Sequence, residues 1–200
     1  MESMEALTEA VAERLFIELE ASGRHVHLTK EQSLALFGHS LTEKLPLSQP
    51  GQFLSQERLA VIGPRGSFRN VAVLGPERKE GQVEISLTDC RHLGIEAPLR
   101  LSGDIKGSPG IRLEGPGGAI MLSEGVIVAK RHIHLTPEKA RQFGVRDRQI
   151  VSLKTYTSRP CVFENVAVRV SEDFAPYVHL DLDEANACGF RPGDLGRILP

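Results

Sequence analysis

The chain has 200 residues, enough for one large domain or two of about 100 residues. Hydrophobic residues make up 40% and charged residues 25%, and 24 Lys+Arg stand against 26 Asp+Glu, a balance that excludes both a disordered tail and a basic nucleic-acid arm. No apolar run approaches the roughly 18 residues of a membrane span, and the start, Met1-Glu2-Ser3-Met4-Glu5, lacks the basic segment of a signal peptide, so the expected address is the cytoplasm.

Residues 5–17 place Leu7, Val11 and Leu15 at i, i+4 and i+8, which predicts one N-terminal helix. From Leu15 to Glu20 the pattern becomes strand-like and leads through Ala21-Ser22-Gly23 into Arg24-His25-Val26-His27-Leu28. Thr29 resembles a helix N-cap for a segment from Glu31 to Phe37 that ends at Gly38. Short β-branched and leucine-rich segments follow at 59–62, 70–74, 82–87, 120–122, 126–129, 150–154, 162–170 and 177–182, separated by Gly-Pro, Arg-Gly and Pro-Gly-Gly turns. Gly 19 and Pro 12 together exceed the usual share of about 12%, as many short strands require. The expected class is mainly β, with a turn-rich stretch from Gly103 to Gly118.

The chain repeats itself. Arg24-His-Val-His-Leu-Thr-Lys-Glu31 recurs as Arg131-His-Ile-His-Leu-Thr-Pro-Glu138, with six identities in eight positions. Phe68-Arg-Asn-Val-Ala-Val73 likewise matches Phe163-Glu-Asn-Val-Ala-Val168. The two offsets differ, so the first copy carries extra residues, expected around Ser40 to Gln56. Carried onward without gaps, the second register sets Glu84 opposite His179 and Gly94 opposite Gly189. Two similar β-rich lobes are expected.

Residues two apart on a strand face one side, so His25 with His27, and His132 with His134, each present two imidazoles to one point from about 7 Å of backbone. The repeat register supplies a third donor: Glu84 in one copy and His179 in the other. Two His with a carboxylate, and three His, both match catalytic zinc, which keeps a position open for water or substrate. Related lobes facing each other would bring two metals close and clamp an oxyanion. His39 and His92 fall outside this pattern. Arg24, Arg131 and Arg78 are candidate phosphate grips, since a guanidinium fork suits phosphate, although each is ordinary surface charge when taken alone. Asp181, Asp183 and Glu184 either orient imidazoles or form a solvated acidic turn. Cys90, Cys161 and Cys188 have no C-x-x-C spacing and no local activating motif, so reduced thiols and no cysteine nucleophile are expected. His25-x-His27-x3-Glu31 also fits part of a bicupin-like oxygenase or isomerase signature, but Glu31 lies beyond the helix cap at Thr29. A binding protein without catalysis is a third reading, and it leaves the six matched ligands without a purpose.

Taken together, Ser22-Gly-Arg-His-Val-His-Leu28, Leu74-Gly-Pro-Glu-Arg78 with Gln82-Val-Glu-Ile-Ser86, Ala129-Lys-Arg-His-Ile-His-Leu135 and His179-Leu-Asp-Leu-Asp-Glu-Ala-Asn-Ala187 resemble the PduL-type phosphotransacylases (phosphate propanoyltransferases) associated with bacterial microcompartments. The resemblance spans nearly the whole chain. It implies two helix-capped β-barrels: residues 1–21 give a helix and a strand that joins the C-terminal barrel, 22–129 form the middle barrel and 130–200 the C-terminal one. It implies two zinc ions per chain on His25, His27, Glu84, His132, His134 and His179, and phosphate bound by Arg78 as the catalytic arginine. The implied reaction exchanges an acyl group between coenzyme A and phosphate, with CoA contacts unassigned. A homodimer is expected, with neither nucleic acid nor membrane as partner. Microcompartment shell or core proteins are further candidate partners, and the microcompartment lumen is the alternative address. Residues 1–14 are expected either to cap a barrel or to serve as a short encapsulation helix.

Overall fold

The computed structural model describes Met4, Ala6, Val11 and the run Arg14–Leu199. The chain divides into two compact units, one of Met1–Ser22 with Arg131–Pro200 and another of Gly23–Lys130. No helix among the described residues is long and apolar enough to cross a membrane.

The first unit is a closed six-stranded barrel in the order β1 (Ile17–Ser22), β14 (Tyr177–Asp181), β11 (His132–Leu135), β13 (Val162–Val170), β12 (Ile150–Tyr156) and β15 (Leu195–Leu199). Its core is Leu19, Ile133, Leu135, Leu153, Val166, Val168, Val178 and Leu180 with smaller neighbours. The second unit is a curled, open nine-stranded sheet. Its order is β7 (Leu99–Arg100), β10 (Val126–Ala129), β6 (Gln82–Ile85), β2 (His25–His27), β5 (Ser67–Gly75), β4 (Phe53–Ile62), β8 (Ile111–Gly115) and β9 (Gly118–Leu122), with β3 (Glu43–Pro46) paired to β4. A separate cluster fills it, including Val26, Leu28, Leu36, Val71, Val73, Val83, Leu93, Leu113 and Val128.

The two ladders share their pairing directions. Strand β2 lies between parallel β5 and antiparallel β6, and β6 runs parallel to β10. Strand β11 lies between parallel β13 and antiparallel β14, and β14 runs parallel to β1. Each ladder also bulges at the same point of the repeated Phe-x-Asn-Val block. The register slips between Leu59 and Val61 opposite β5, and between Val151 and Leu153 opposite β13. The extra residue in each case is an asparagine in the left-handed region, Asn70 at φ 59 and Asn165 at φ 56, which asparagine tolerates better than most residues with a Cβ.

Four helices follow the strands that carry His25–His27, Glu84, His132–His134 and His179. Helix α1 (Lys30–Phe37) starts at Thr29 and α3 (Pro137–Phe143) at Thr136, each directly after a His-x-His strand. Helices α2 (Leu87–Leu93) and α4 (Leu182–Cys188) start at Ser86 and Asp181, each with a reciprocal capping box to Asp89 or Glu184. These two correct the expected strands 82–87 and 177–182, which stop at Ile85 and Asp181 because the cap turns the chain out of the sheet. All four end on a left-handed glycine, at 38, 94, 144 and 189.

Other expectations shift. Strand β3 and the start of β4 occupy the extra segment at 40–56, and β8 lies inside the expected turn-rich stretch. Of the N-terminal stripe, Leu7 lies outside the described residues, as do most of residues 1–14, on which the capping and encapsulation readings rest. Val11 and Leu15 are helical and exposed, and β1 begins at Ile17 rather than Leu15.

Residues 23–130 hold every strand of their own sheet, whereas the barrel of 131–200 needs β1 to close between β14 and β15. A fragment of residues 23–130 is therefore expected to melt cooperatively by circular dichroism. A fragment of 131–200 is expected to do so only when a peptide carrying Ile17–Ser22 is added.

Candidate metal centres

Antiparallel pairing of β2 with β6 sets His25 opposite Glu84 and His27 opposite Gln82. Val26, Val83 and Ile85 take the alternate positions and point into the core, so strand alternation sends the four polar side chains to one face. Peptide carbonyls then fix the imidazoles. His25 Nδ1 donates to Gly23 O at 2.8 Å and His27 Nδ1 to Leu74 O at 3.3 Å, which aims both Nε2 atoms inward, 3.2 Å apart. Glu84 Oε1 lies 3.6 Å from His25 Nε2 and 3.9 Å from His27 Nε2.

All three side chains are buried, and their charges are interlocked. Burial pulls the His25 pKa down, but the adjacent Glu84 carboxylate outweighs it and the net shift is upward. Burial, reinforced by the charges of His25 and Arg78, drives His27 well below the ordinary imidazole range. Burial pushes Glu84 up, yet His25 and His27 hold it ionised far below the usual carboxylate range. The cluster brings together two imidazole nitrogens and a carboxylate oxygen. Nitrogen and oxygen donors in this number suit a divalent zinc ion.

In the barrel, β11 against β14 sets His132 opposite His179 and His134 opposite Tyr177. Ring centroids are 4.6 Å apart for His132 and His134, 4.9 Å for His132 and His179, and 4.7 Å for His134 and His179. One ligating atom from each residue lies within 4.8 Å of the others, as in the His25, His27 and Glu84 group. Phe174 stacks on His134 at 4.1 Å. Glu20, opposite His179 in the parallel β1–β14 pair, brings Oε2 to 3.3 Å from His179 Nδ1, the kind of carboxylate-to-imidazole contact that orients a metal-binding histidine. Sequence reading missed Glu20. The signal was the strand at 15–20, whose partner no local pattern reveals.

Arg78 comes from the loop after β5. Its backbone N–H donates to Leu28 O at 2.8 Å, one residue beyond His27, and its Nη1 donates to Ser102 Oγ at 3.0 Å. Arg24 and Arg131 serve differently from a phosphate grip. Arg24 donates through Nε and Nη2 to both Asp89 oxygens, at 3.1 and 2.7 Å, and its guanidinium lies 4.0 Å from the Phe68 ring centre. Arg131 pairs with Glu184, donates to Glu164 O at 2.7 Å and lies 5.6 Å from the Phe163 ring centre. Each joins a His-x-His strand to the capping box of the helix that follows the antiparallel partner strand, α2 for Arg24 and α4 for Arg131.

Asp181 and Glu184 accordingly belong to the α4 cap and its arginine. Glu31 is exposed and accepts from the Thr29 hydroxyl at 2.8 Å, so it stays out of the His25–His27 cluster and the cupin ligand set is not assembled. His39 is exposed beside Glu57, and His92 bonds Ser67 O; neither joins a triad. Cys90 and Cys188 pack in the two cores, where burial pushes the Cys188 thiol up, and Cys161 borders the barrel core beside Thr155.

The sequence pattern of the family described as phosphate propanoyltransferase matches residues 18–191. A phosphate propanoyltransferase of Enterococcus faecalis is 51% identical over 207 residues, covering 100% of this chain and 98% of that protein. One from Listeria monocytogenes is 54% identical over 185 residues, covering 92% and 87%. One from Thermotoga maritima is 49% identical over 181 residues, covering 89% and 86%.

If Arg24 and Arg131 are structural ties, Arg24→Met and Arg131→Met each lose a charge-assisted hydrogen bond to a mostly buried carboxylate. Each is expected to lower stability by about 1.5–3 kcal/mol in urea unfolding. Metal content of the folded variants is expected to stay at the wild-type level in elemental analysis.

Proposed function

The chain belongs to the phosphate propanoyltransferase family, and on that premise we propose that it interconverts a short-chain acyl-CoA plus phosphate with acyl phosphate plus free coenzyme A. Propanoyl-CoA and acetyl-CoA are the proposed donors. The observation that carries the reading is the pair of buried triads, His25–His27–Glu84 and His132–His134–His179, with the Arg78 guanidinium fixed in the neighbourhood of the first. We assign one zinc to each triad.

In the forward direction a phosphate oxygen forms a bond to the thioester carbonyl carbon. The carbon–sulfur bond breaks, and its electron pair leaves with coenzyme A as a thiolate. Bound zinc supplies Lewis acidity toward the carbonyl, positive charge for phosphate oxygens and a soft partner for sulfur. The protein's work is orientation. Gly23 O, Leu74 O and Glu20 hold the imidazoles so that their other nitrogens face the sites. Arg78 presents a planar donor fork to two phosphate oxygens, and its charge favours an anion there. Direct transfer is the step we propose, because two thiols are packed into cores and the third lies against the Thr155 hydroxyl at 3.8 Å.

We further propose a homodimer. The location proposed is the cytoplasm, with the microcompartment lumen and its shell or core proteins as destination and neighbours, on the strength of the sequence resemblance. Gel filtration with light scattering tests the dimer, and fractionation of purified microcompartments tests the destination.

The decisive experiment combines elemental analysis with a phosphate-dependent assay for free thiol from acyl-CoA. Two zinc ions per chain are expected. His27→Ala and His134→Ala are each expected to lose about one of them and nearly all turnover. Full activity in both variants overturns the two-zinc proposal, and one tightly bound iron instead of zinc favours an oxygenase chemistry.

Arg78→Ala is expected to depress phosphate-dependent turnover by about 100-fold or more in both directions while zinc content stays normal. Arg78→Lys, which keeps charge but loses the fork, is expected to fall between. Unchanged phosphate KM and kcat in Arg78→Ala removes the arginine from the site.

A further inference from the structure

Gln82 occupies the fourth corner of the cross-strand square made by His25, Glu84 and His27. It is buried, with 3% of its surface exposed. A glutamine offers one carbonyl oxygen and two N–H donors, and each of these groups is already engaged. Its Oε1 accepts from Gly103 N at 2.7 Å, which fixes the amide so that Nε2 faces the other way. Nε2 donates to Glu84 Oε1 at 2.6 Å and to Ser102 Oγ at 2.9 Å. With its carbonyl oxygen turned to Gly103 and its amide nitrogen to Glu84 and Ser102, Gln82 is a brace for a candidate metal ligand.

Ser102 extends the brace. Its Oγ accepts from Gln82 Nε2 and from Arg78 Nη1, which uses both lone pairs and leaves its O–H proton for a third group. The metal-facing carboxylate and the phosphate-facing guanidinium are thereby joined through one amide and one hydroxyl.

We propose that Gln82 is a positioning residue that holds Glu84 in its ligating orientation and, through Ser102, sets the position of Arg78, so that metal binding and phosphate binding depend on the same amide. The inference rests on the zinc reading of the His25–His27–Glu84 triad. It adds a residue that neither contacts substrate nor ligates metal. Loss of such an outer partner typically weakens metal binding by about 10–100-fold.

The test uses the full zinc-loaded enzyme, with retention measured against a competing chelator and phosphate KM measured separately. Gln82→Met, similar in shape but without the amide, is expected to lose one zinc at roughly 10–100-fold lower chelator than wild type and to raise the phosphate KM. Cobalt substitution gives a second readout: the visible spectrum of the variant is expected to shift, because Glu84 is no longer held. Ser102→Ala keeps the Gln82–Glu84 bond, so it is expected to raise the phosphate KM with a smaller loss of zinc than Gln82→Met. A folded Gln82→Met enzyme with wild-type zinc retention, cobalt spectrum and phosphate KM overturns the inference. If Gln82→Met fails to fold, Ser102→Ala decides, and an unchanged phosphate KM overturns it. Wild-type enzyme that takes up no zinc overturns the metal reading and this inference with it, whereas zinc-binding wild type with unaltered variants overturns this inference alone.

Discussion

Antiparallel pairing of a short His-x-His strand with one neighbour is the constraint on which both sites depend. Register alone decides that His25 meets Glu84 and that His132 meets His179. A slip of one residue would turn Val26 or Ile133 toward the site and bury the histidines among aliphatic side chains. The register is held from the opposite face, where Val26, Val83 and Ile85 in one ladder, and Ile133, Val178 and Leu180 in the other, are packed in the cores. Core packing and site geometry are two faces of the same strands.

Such an arrangement is costly before it is useful. Moving an ionised carboxylate out of water costs several kcal/mol unless partners replace the lost solvation. Glu84 is supplied with them: the Gln82 amide and the two imidazoles. The barrel triad avoids the expense by using a third imidazole in place of the carboxylate, with Glu20 placed one layer out and partly exposed. The two clusters therefore differ by one carboxylate: Glu84 in the first stands where His179 stands in the second.

Much of this was legible in the sequence because strand chemistry has a period of two. The spacing His-x-His puts two imidazoles on one face wherever a strand forms, and the repeat register picked out Glu84 and His179 without any knowledge of pairing. The helices α2 and α4 were legible but unread: Ser86-x-x-Asp89 and Asp181-x-x-Glu184 are capping boxes, each followed by a glycine at the helix end. Gln82 and Glu20 lay deeper. Each is an ordinary polar residue in a strand, and its role comes from a neighbour that only tertiary pairing supplies. Arg24 and Arg131 show the converse, since an arginine beside a metal motif suggests a phosphate grip until the Asp89 and Glu184 carboxylates are seen to claim it. The open second sheet also escaped sequence patterning, because closure depends on whether end strands such as β7 and β9 meet, not on any strand's composition.

The connection between β1 and β2 makes the most of very few residues. Strand β1 pairs in the barrel with β14, while β2, which starts three residues after β1 ends, pairs in the other sheet with β6. Within Glu20–Gly23 the chain thus provides a contact for each triad: the Glu20 carboxylate at His179 Nδ1 and the Gly23 carbonyl at His25 Nδ1. Strand β10 mirrors the exchange, pairing with the Glu84 strand β6 before Arg131 leads into the His132–His134 strand. Each His-x-His strand is therefore preceded by a strand that pairs beside the strand carrying the third member of the other triad. A shift in the 20–23 segment would disturb the imidazole of His179 and that of His25 together, which ties the geometry of the two clusters to one short stretch of backbone.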